Sequence, residues 1–345
     1  MLKKILAVLF TTALLFGLSI GAASAEKLKV GLVFDIGGKG DLSFNDSAYR
    51  GLQWASKFGV SHIEIEPGAD ADRETGLRMI ASQGFDLVIG VGFLFTDGMK
   101  AVADDFPQTK FAIIDGFIPD KPNVSSLLFT EHEGSFLVGM IGAMKAKADG
   151  KNTVGFVGGM DMPLIHKFEA GYKAGVEYAY PGCKVLSDYA GTAPSAFIDP
   201  VKGKELALAQ IDRGAHVIYH ASGLTGVGVY EAAIQRKTYV IGVDSNQNHL
   251  GHVKESGENF GLTSMLKQVD VAVYLTIKAL KEGKFQSGVR VFGLGDTVEV
   301  EGKTYHGVYY AMDDYNKDLV SADMIKKVTA AEKKILSGEI KVPEK

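Results

Sequence analysis

The chain has 345 residues, 46% of them hydrophobic and 23% charged, with 37 lysines and arginines against 41 aspartates and glutamates, a net charge of −4. That balance, with no basic block anywhere, excludes the electrostatic footprint of a nucleic-acid binder. A single cysteine, Cys183, excludes an internal disulfide and any cysteine-pair metal site. It reads as a small core residue.

The first residues carry an export signal. Lys3-Lys4 precede an uncharged, mainly apolar run over 5–20, and Ala23-Ser24-Ala25 supplies a small-residue exit, so cleavage after Ala25 is expected. The run is shorter than the ~20 apolar residues that span a bilayer. Losing Lys3 and Lys4 takes the net charge to −6. No cysteine stands at the expected new N-terminus to carry a lipid, so a free periplasmic protein is expected. About 320 residues remain, more than one hydrophobic core usually holds, which points to two lobes.

From residue 26 onward, short β-branched runs alternate with stretches of helical period, the pattern of parallel βα units. Strands are predicted at 29–33, 62–66, 87–91 and 110–114, with helices at 43–58, 70–83 and 95–105 between them. The Pro119 to Asn123 stretch, with prolines at 119 and 122, reads as a linker. Strands at 153–157, 184–189, 217–220 and 239–243 then repeat the plan, with helices at 163–180, 200–213 and 226–236. The remainder reads as an amphipathic helix over 265–282, strands over 297–310 around a Glu301-Gly302 turn, and a last helix over 321–337. The expected fold class is α/β, with two doubly wound, Rossmann-like lobes. A first lobe of 26–130 plus about 263–292 joins a second of about 131–262 plus 293–345 through crossing segments. Open parallel sheets bind ligands at the carboxyl ends of their strands, so two such lobes facing each other would share one cleft.

The strand ends carry the candidate residues. After the first strand comes a glycine-rich loop from Asp35 to Asn45 that has neither dinucleotide-binding spacing nor the Gly-Lys-Ser/Thr ending of a P-loop. Ser43 or Asp41 is placed to cap the next helix. Phe44 and Asn45 then start that helix on the cleft side. Asp115 and Asp244 each stand at the end of the fourth strand of their half, and carboxylates there accept hydrogen bonds from ligand hydroxyls or ring N–H groups. A ligand rich in donors suits them better than an anion. Phe197, in the loop after the second strand of the second half, could stack with Phe44 on the two faces of a planar ring. Gly223, after the third strand, would let the backbone approach a ligand closely, or simply make a turn.

Several stretches resemble the basic membrane protein family of ABC-transporter substrate-binding proteins. They are Gly37 through Gly51 (GGKGDLSFNDSAYRG), Gly155 through Gly175 (GFVGGMDMPLIHKFEAGYKAG), Asp199 through Lys204, and Ile241 through Gln247 (IGVDSNQ). The resemblance implies a type I periplasmic-binding fold joined by crossing hinge strands and, in the best understood branch, purine nucleosides as ligands. By the same resemblance Phe44 would stack on the base, with Asp35 and Asn45 beside it as polar contacts. Asp115 would read the base, Asp244 would bind the ribose, and Lys267 in the Thr-Ser-Met-Leu-Lys run would sit at the cleft. An ABC permease in the inner membrane is the implied partner, and the protein is expected to work as a monomer.

Two other readings remain open on the residues alone. A nucleosidase would need an activated water and a positioned acid, yet none of the eight histidines has a metal-ligand spacing and no Gly-x-Ser-x-Gly elbow occurs. No catalytic residue, metal or cofactor is therefore expected. A sugar receptor or sensor on the same fold would favour a tryptophan face in the cleft, and Trp54 is placed instead within the first helix.

Overall fold

The computed structural model describes residues 27–300 and 302–345, with the side chains of 70 and 71 left aside. The expected export signal and Glu301 of the expected turn lie outside the described residues. The first half runs β1 (Lys29–Val33), α1 (Phe44–Ala55), β2 (Ser61–Ile65), α2 (Asp70–Ser82), β3 (Leu87–Val91), α3 (Thr96–Asp105), β4 (Lys110–Ile114) and β5 (Val124–Phe129). After a single residue, Thr130, come α4 (Glu131–Ala148), β6 (Thr153–Met160), α5 (Pro163–Ala179), β7 (Lys184–Gly191), α6 (Pro200–Asp212), β8 (Val217–Ala221), α7 (Gly226–Arg236), β9 (Tyr239–Asp244) and β10 (Gly261–Lys267). The chain ends with α8 (Val269–Lys281), β11 (Gly288–Phe292), the hairpin β12 (Thr297–Val300) and β13 (Lys303–His306), β14 (Val308–Tyr310) and α9 (Ala322–Leu336).

Two six-stranded sheets result, in the orders β11-β5-β4-β3-β1-β2 and β14-β10-β9-β8-β6-β7. Strand for strand these are the same order, so the duplicated plan read from the sequence is a duplicated topology. The edges differ: β11 is parallel to β5, whereas β14 runs antiparallel to β10. β3 (LVIGV) and β8 (VIYHA) are buried along their whole length, which is why they read as continuous apolar runs without alternation.

The chain passes between the sheets three times: at Thr130, at Gln268, and along 293–307. The sequence reading of one helix over 265–282 is corrected here. Met265 to Lys267 belong to β10, where Met265 and Leu266 pair with Val243 and Asp244 of β9, and the helix starts only at Val269. The second crossing therefore falls at Gln268, and residues 263–267, assigned above to the first lobe, are part of the second sheet. Strands β5 and β11 were not anticipated either.

Helix α4 is buried almost all round, with no polar stripe, because it packs against α5 and α9 on one side and β10 and β14 on the other. Glycines let α5 approach it: a Cβ on Gly171 would stand 2.0 Å from the His132 carbonyl oxygen, and one on Gly175 2.0 Å from that of Phe136. Cys183 is buried in the same core, and burial pushes its thiol up to about 11. No helix among the described residues is long and apolar enough to cross a membrane.

Candidate ligand-binding cleft

The carboxyl ends of the two sheets face a shared cleft. All eight residues singled out in the sequence line it: Asp35, Phe44, Asn45 and Asp115 from the first half, Phe197, Gly223, Asp244 and Lys267 from the second.

The loop before α1 divides its labour in a way the sequence left open. Asp41, not Ser43, caps the helix, its carboxylate accepting from the backbone N–H groups of Ser43 (2.9 Å), Asn45 (2.8 Å) and Asp46 (3.1 Å). An acidic group at a helix N-terminus satisfies otherwise open donors and complements the helix dipole. Freed from capping, the Ser43 hydroxyl crosses to the other half and donates to Asp244 Oδ2 at 2.6 Å. Asn45 lines the cleft, yet its amide is largely committed to the protein. Its oxygen accepts from the Asp35 N–H (2.8 Å) and its nitrogen donates to Asp41 (3.0 Å) and the Ile36 carbonyl (3.3 Å). Asn45 thus holds Asp35 in place, with only a lone pair of its oxygen left to face a ligand.

Lys267 stands at the centre of the charge arrangement. It ends β10 with 2% exposure, rather than standing in the helix expected over 265–282. Its ammonium donates to Asp115 Oδ2 and lies 3.4 Å from Glu131 Oε1. Burial alone would lower its pKa, but Asp115, Glu131 and Asp244 together more than reverse that and hold it above the ordinary lysine value. The acids respond in the opposite sense. Burial pushes Asp35 up to about 7, against the Ile36 N–H and Arg73, whose Nε lies 3.6 Å away, and Asp244 up to about 6, against Lys267 and Ser43. Glu131 is also raised by burial, with Lys267 opposing. Asp115 Oδ1 is buried and has no hydrogen-bond partner. A buried carboxylate oxygen left open is costly unless something donates to it.

The remaining walls are apolar. Phe44, Phe129 and Phe168 surround the Lys267 ammonium with ring centroids 5.2, 5.1 and 5.5 Å away, a range in which ring faces attract cations. Phe197 is carried on a short turn, Pro194–Phe197, that sits on Gly223. There φ is +56° and a Cβ would come within 3.2 Å of the Phe197 carbonyl oxygen, so glycine fits with the least strain. Trp54 lies away from the cleft, packed on Tyr305 and Tyr274 at 4.9 and 6.5 Å. No histidine is among the lining residues. Glu131 and Phe168 were missed as members of the charge cluster and wall. Helix α4, which Glu131 opens, was itself not anticipated from the sequence, and Phe168 reads there as a core position of α5. Only the pairing of distant segments shows otherwise.

Two doubly wound sheets, joined by three crossings and facing one cleft, make up the type I periplasmic-binding fold. The comparisons agree and go further. Residues 27–345 match the sequence profile of the Bmp family, described as ABC transporter substrate-binding protein PnrA-like. The chain is 35% identical over 343 residues to the CD4+ T-cell-stimulating antigen of Listeria monocytogenes, covering 93% of this chain and 90% of that protein. It is 34% identical over 334 residues to the ABC transporter nucleoside-binding protein BmpA of Lactococcus lactis subsp. cremoris, covering 92% and 90%. Among solved structures, an ABC transporter solute-binding protein from Aeropyrum pernix K1 superposes with a TM-score of 0.78 at 30% identity, covering 92% and 94%. The chain belongs to the Bmp family of ABC-transporter substrate-binding proteins, a class that works outside the cytoplasmic membrane.

Proposed function

We propose that this protein captures purine nucleosides in the cleft and delivers them, as a free periplasmic monomer, to an ABC permease in the inner membrane. The open, buried Asp115 oxygen carries the reading, because it calls for a ligand donor deep in a cleft whose walls are aromatic. A purine offers ring N–H or amino donors and two π faces, and a ribose offers hydroxyls to Asp244 and Lys267. The cleft residues Asp35, Asp41, Asp115 and Asp244 outnumber the one lysine, which disfavours a phosphorylated ligand. Trp54 outside the cleft removes the feature that would favour a sugar receptor. The Lactococcus relative, named as nucleoside-binding, supports the same ligand class. We infer binding without turnover, in keeping with a family described by its substrate-binding role and a relative named as nucleoside-binding.

Mass spectrometry of small molecules released from freshly purified, denatured protein tests the reading. A purine nucleoside at near-stoichiometric amount is expected. A bound hexose, or calorimetry showing no heat with inosine, adenosine or guanosine, would remove it. Free base accumulating from inosine would replace binding by catalysis.

A further inference from the structure

From Ser222 in the cleft wall a line of buried side chains runs behind the cleft and ends in the opposite half. Ser222, in the wall, has its hydroxyl 3.3 Å from His220 Nδ1. The other ring nitrogen, Nε2, lies 3.1 Å from Gln247 Oε1. Gln247 Nε2 donates across to the carbonyl of Leu42 in the first half, at 2.9 Å. His220 and Ser222 are 0% exposed and Gln247 is 1% exposed.

Every direction in this line is fixed from its far end. Gln247 Oε1 accepts the backbone N–H of Val243 at 2.9 Å, so the amide cannot be turned round, and its NH₂ faces Leu42. His220 must then donate from Nε2, since an acceptor there would oppose Oε1. Nδ1 is left unprotonated, and Ser222 must donate to it. Burial pushes the His220 pKa down to about 4, so the neutral ring needed for this tautomer persists at ordinary pH.

The receiving end is strained and next to the clasp already described. Leu42 is non-glycine at φ +56°, which aims its carbonyl at the other half, and its side chain stays exposed. The next residue, Ser43, donates to Asp244, and its own carbonyl accepts from the Ser245 hydroxyl at 2.9 Å. Two adjacent residues of the first half are thus bonded to Asp244, Ser245 and Gln247 of the second.

We infer that His220 and Gln247 are positioning residues that couple the cleft wall at Ser222 to closure of the two lobes, through the Gln247 bond to Leu42. A ligand held by Ser222 adds its own bond to a line whose directions the Val243 N–H already sets, and the amide holds Leu42-Ser43 where Ser43 reaches Asp244. This rests on the cleft being the ligand site, but not on which ligand fills it.

Two measurements test it. In wild-type protein, ¹⁵N shifts of the His220 ring should show Nε2 protonated and Nδ1 bare, with and without ligand; the opposite tautomer would overturn the relay whether or not Gln247 variants fold. Gln247→Met keeps the volume and loses all three amide hydrogen bonds, to His220, Val243 and Leu42. It should raise the ligand dissociation rate about tenfold and enlarge the radius of gyration in ligand-free solution scattering. An unchanged rate and radius in a folded variant would sink the proposal. If wild type binds no nucleoside, the ligand reading fails, and the relay is still decided by the tautomer and the ligand-free radius.

Discussion

Asp115 and Asp244 hold the same left-handed backbone conformation, φ +61° and +62°, at the end of the fourth strand in each half. Few non-glycine residues adopt it, and aspartate and asparagine do so at the least cost. The twist turns each carboxyl from the strand direction toward the space between the sheets. One carboxylate meets Lys267 and the other Ser43, each a residue of the opposite half. The duplicated conformation therefore supplies two ties across one cleft.

Asp244→Ala should weaken nucleoside binding by more than about tenfold, about 1.4 kcal/mol, because both the ligand acceptor and the Ser43 tie are lost. Asp244→Asn keeps the left-handed backbone and an acceptor for Ser43, so its loss should be smaller. Titration calorimetry with inosine checks the order. Equal affinities for wild type and the alanine variant would remove Asp244 from the site.

Phe44→Ala should also cost more than about tenfold in affinity, with little effect on folding, since the ring is only half-buried before a ligand arrives. Phe197→Ala should act in the same direction from the other wall. The check is competition between a purine nucleoside and free ribose. If Phe44 stacks on the base, the variant loses its preference for the nucleoside.

Lys267→Met should be a stability variant as much as a binding one. It strands Asp115 and Glu131 in the interior without their cation, a loss on the order of 3–5 kcal/mol. Adding Glu131→Gln should recover part of it. Urea denaturation of the single and double variants measures this, and no recovery would mean that Glu131 is not balanced by Lys267.

Stability should fall as pH rises from about 6.5 to 8. Asp35, raised to about 7, is protonated in the folded chain where the unfolded one has already ionised, so the folded state binds more protons and loses stability as pH climbs through that value. Below about pH 6.5 the lowered pKa of His220 works the other way and blurs the trend. Asp35→Asn should therefore gain melting temperature over wild type increasingly between pH 6.5 and 8. A difference that stays constant with pH would show that Asp35 does not titrate there.

The site was legible in the sequence to the extent that it stands at strand ends. Asp35, Asp115 and Asp244 follow β-branched runs that are easy to find, and sheet geometry places such residues in one cleft. Lys267 was legible only through resemblance, because Gly261–Lys267 is buried on both faces. A strand without alternation, followed at once by a helix, offers no change of period to mark the boundary. Ser43 and Gln247 were beyond reach for another reason. Their partners, Asp244 and Leu42, lie some two hundred residues away along the chain. Local propensity lets either Ser43 or Asp41 cap, and the three backbone bonds taken by Asp41 are what release Ser43.

The three crossings also decide what can be cut. α8, which covers α1, and β11, which completes the first sheet, both come after the whole run of strands from β6 to β10. A chain stopped after β10 would hold most of both sheets and finish neither. Neither half is a module that recombination could lift out and graft elsewhere, so new ligand preferences in such a protein must arise by substitution at the strand ends rather than by exchange of lobes.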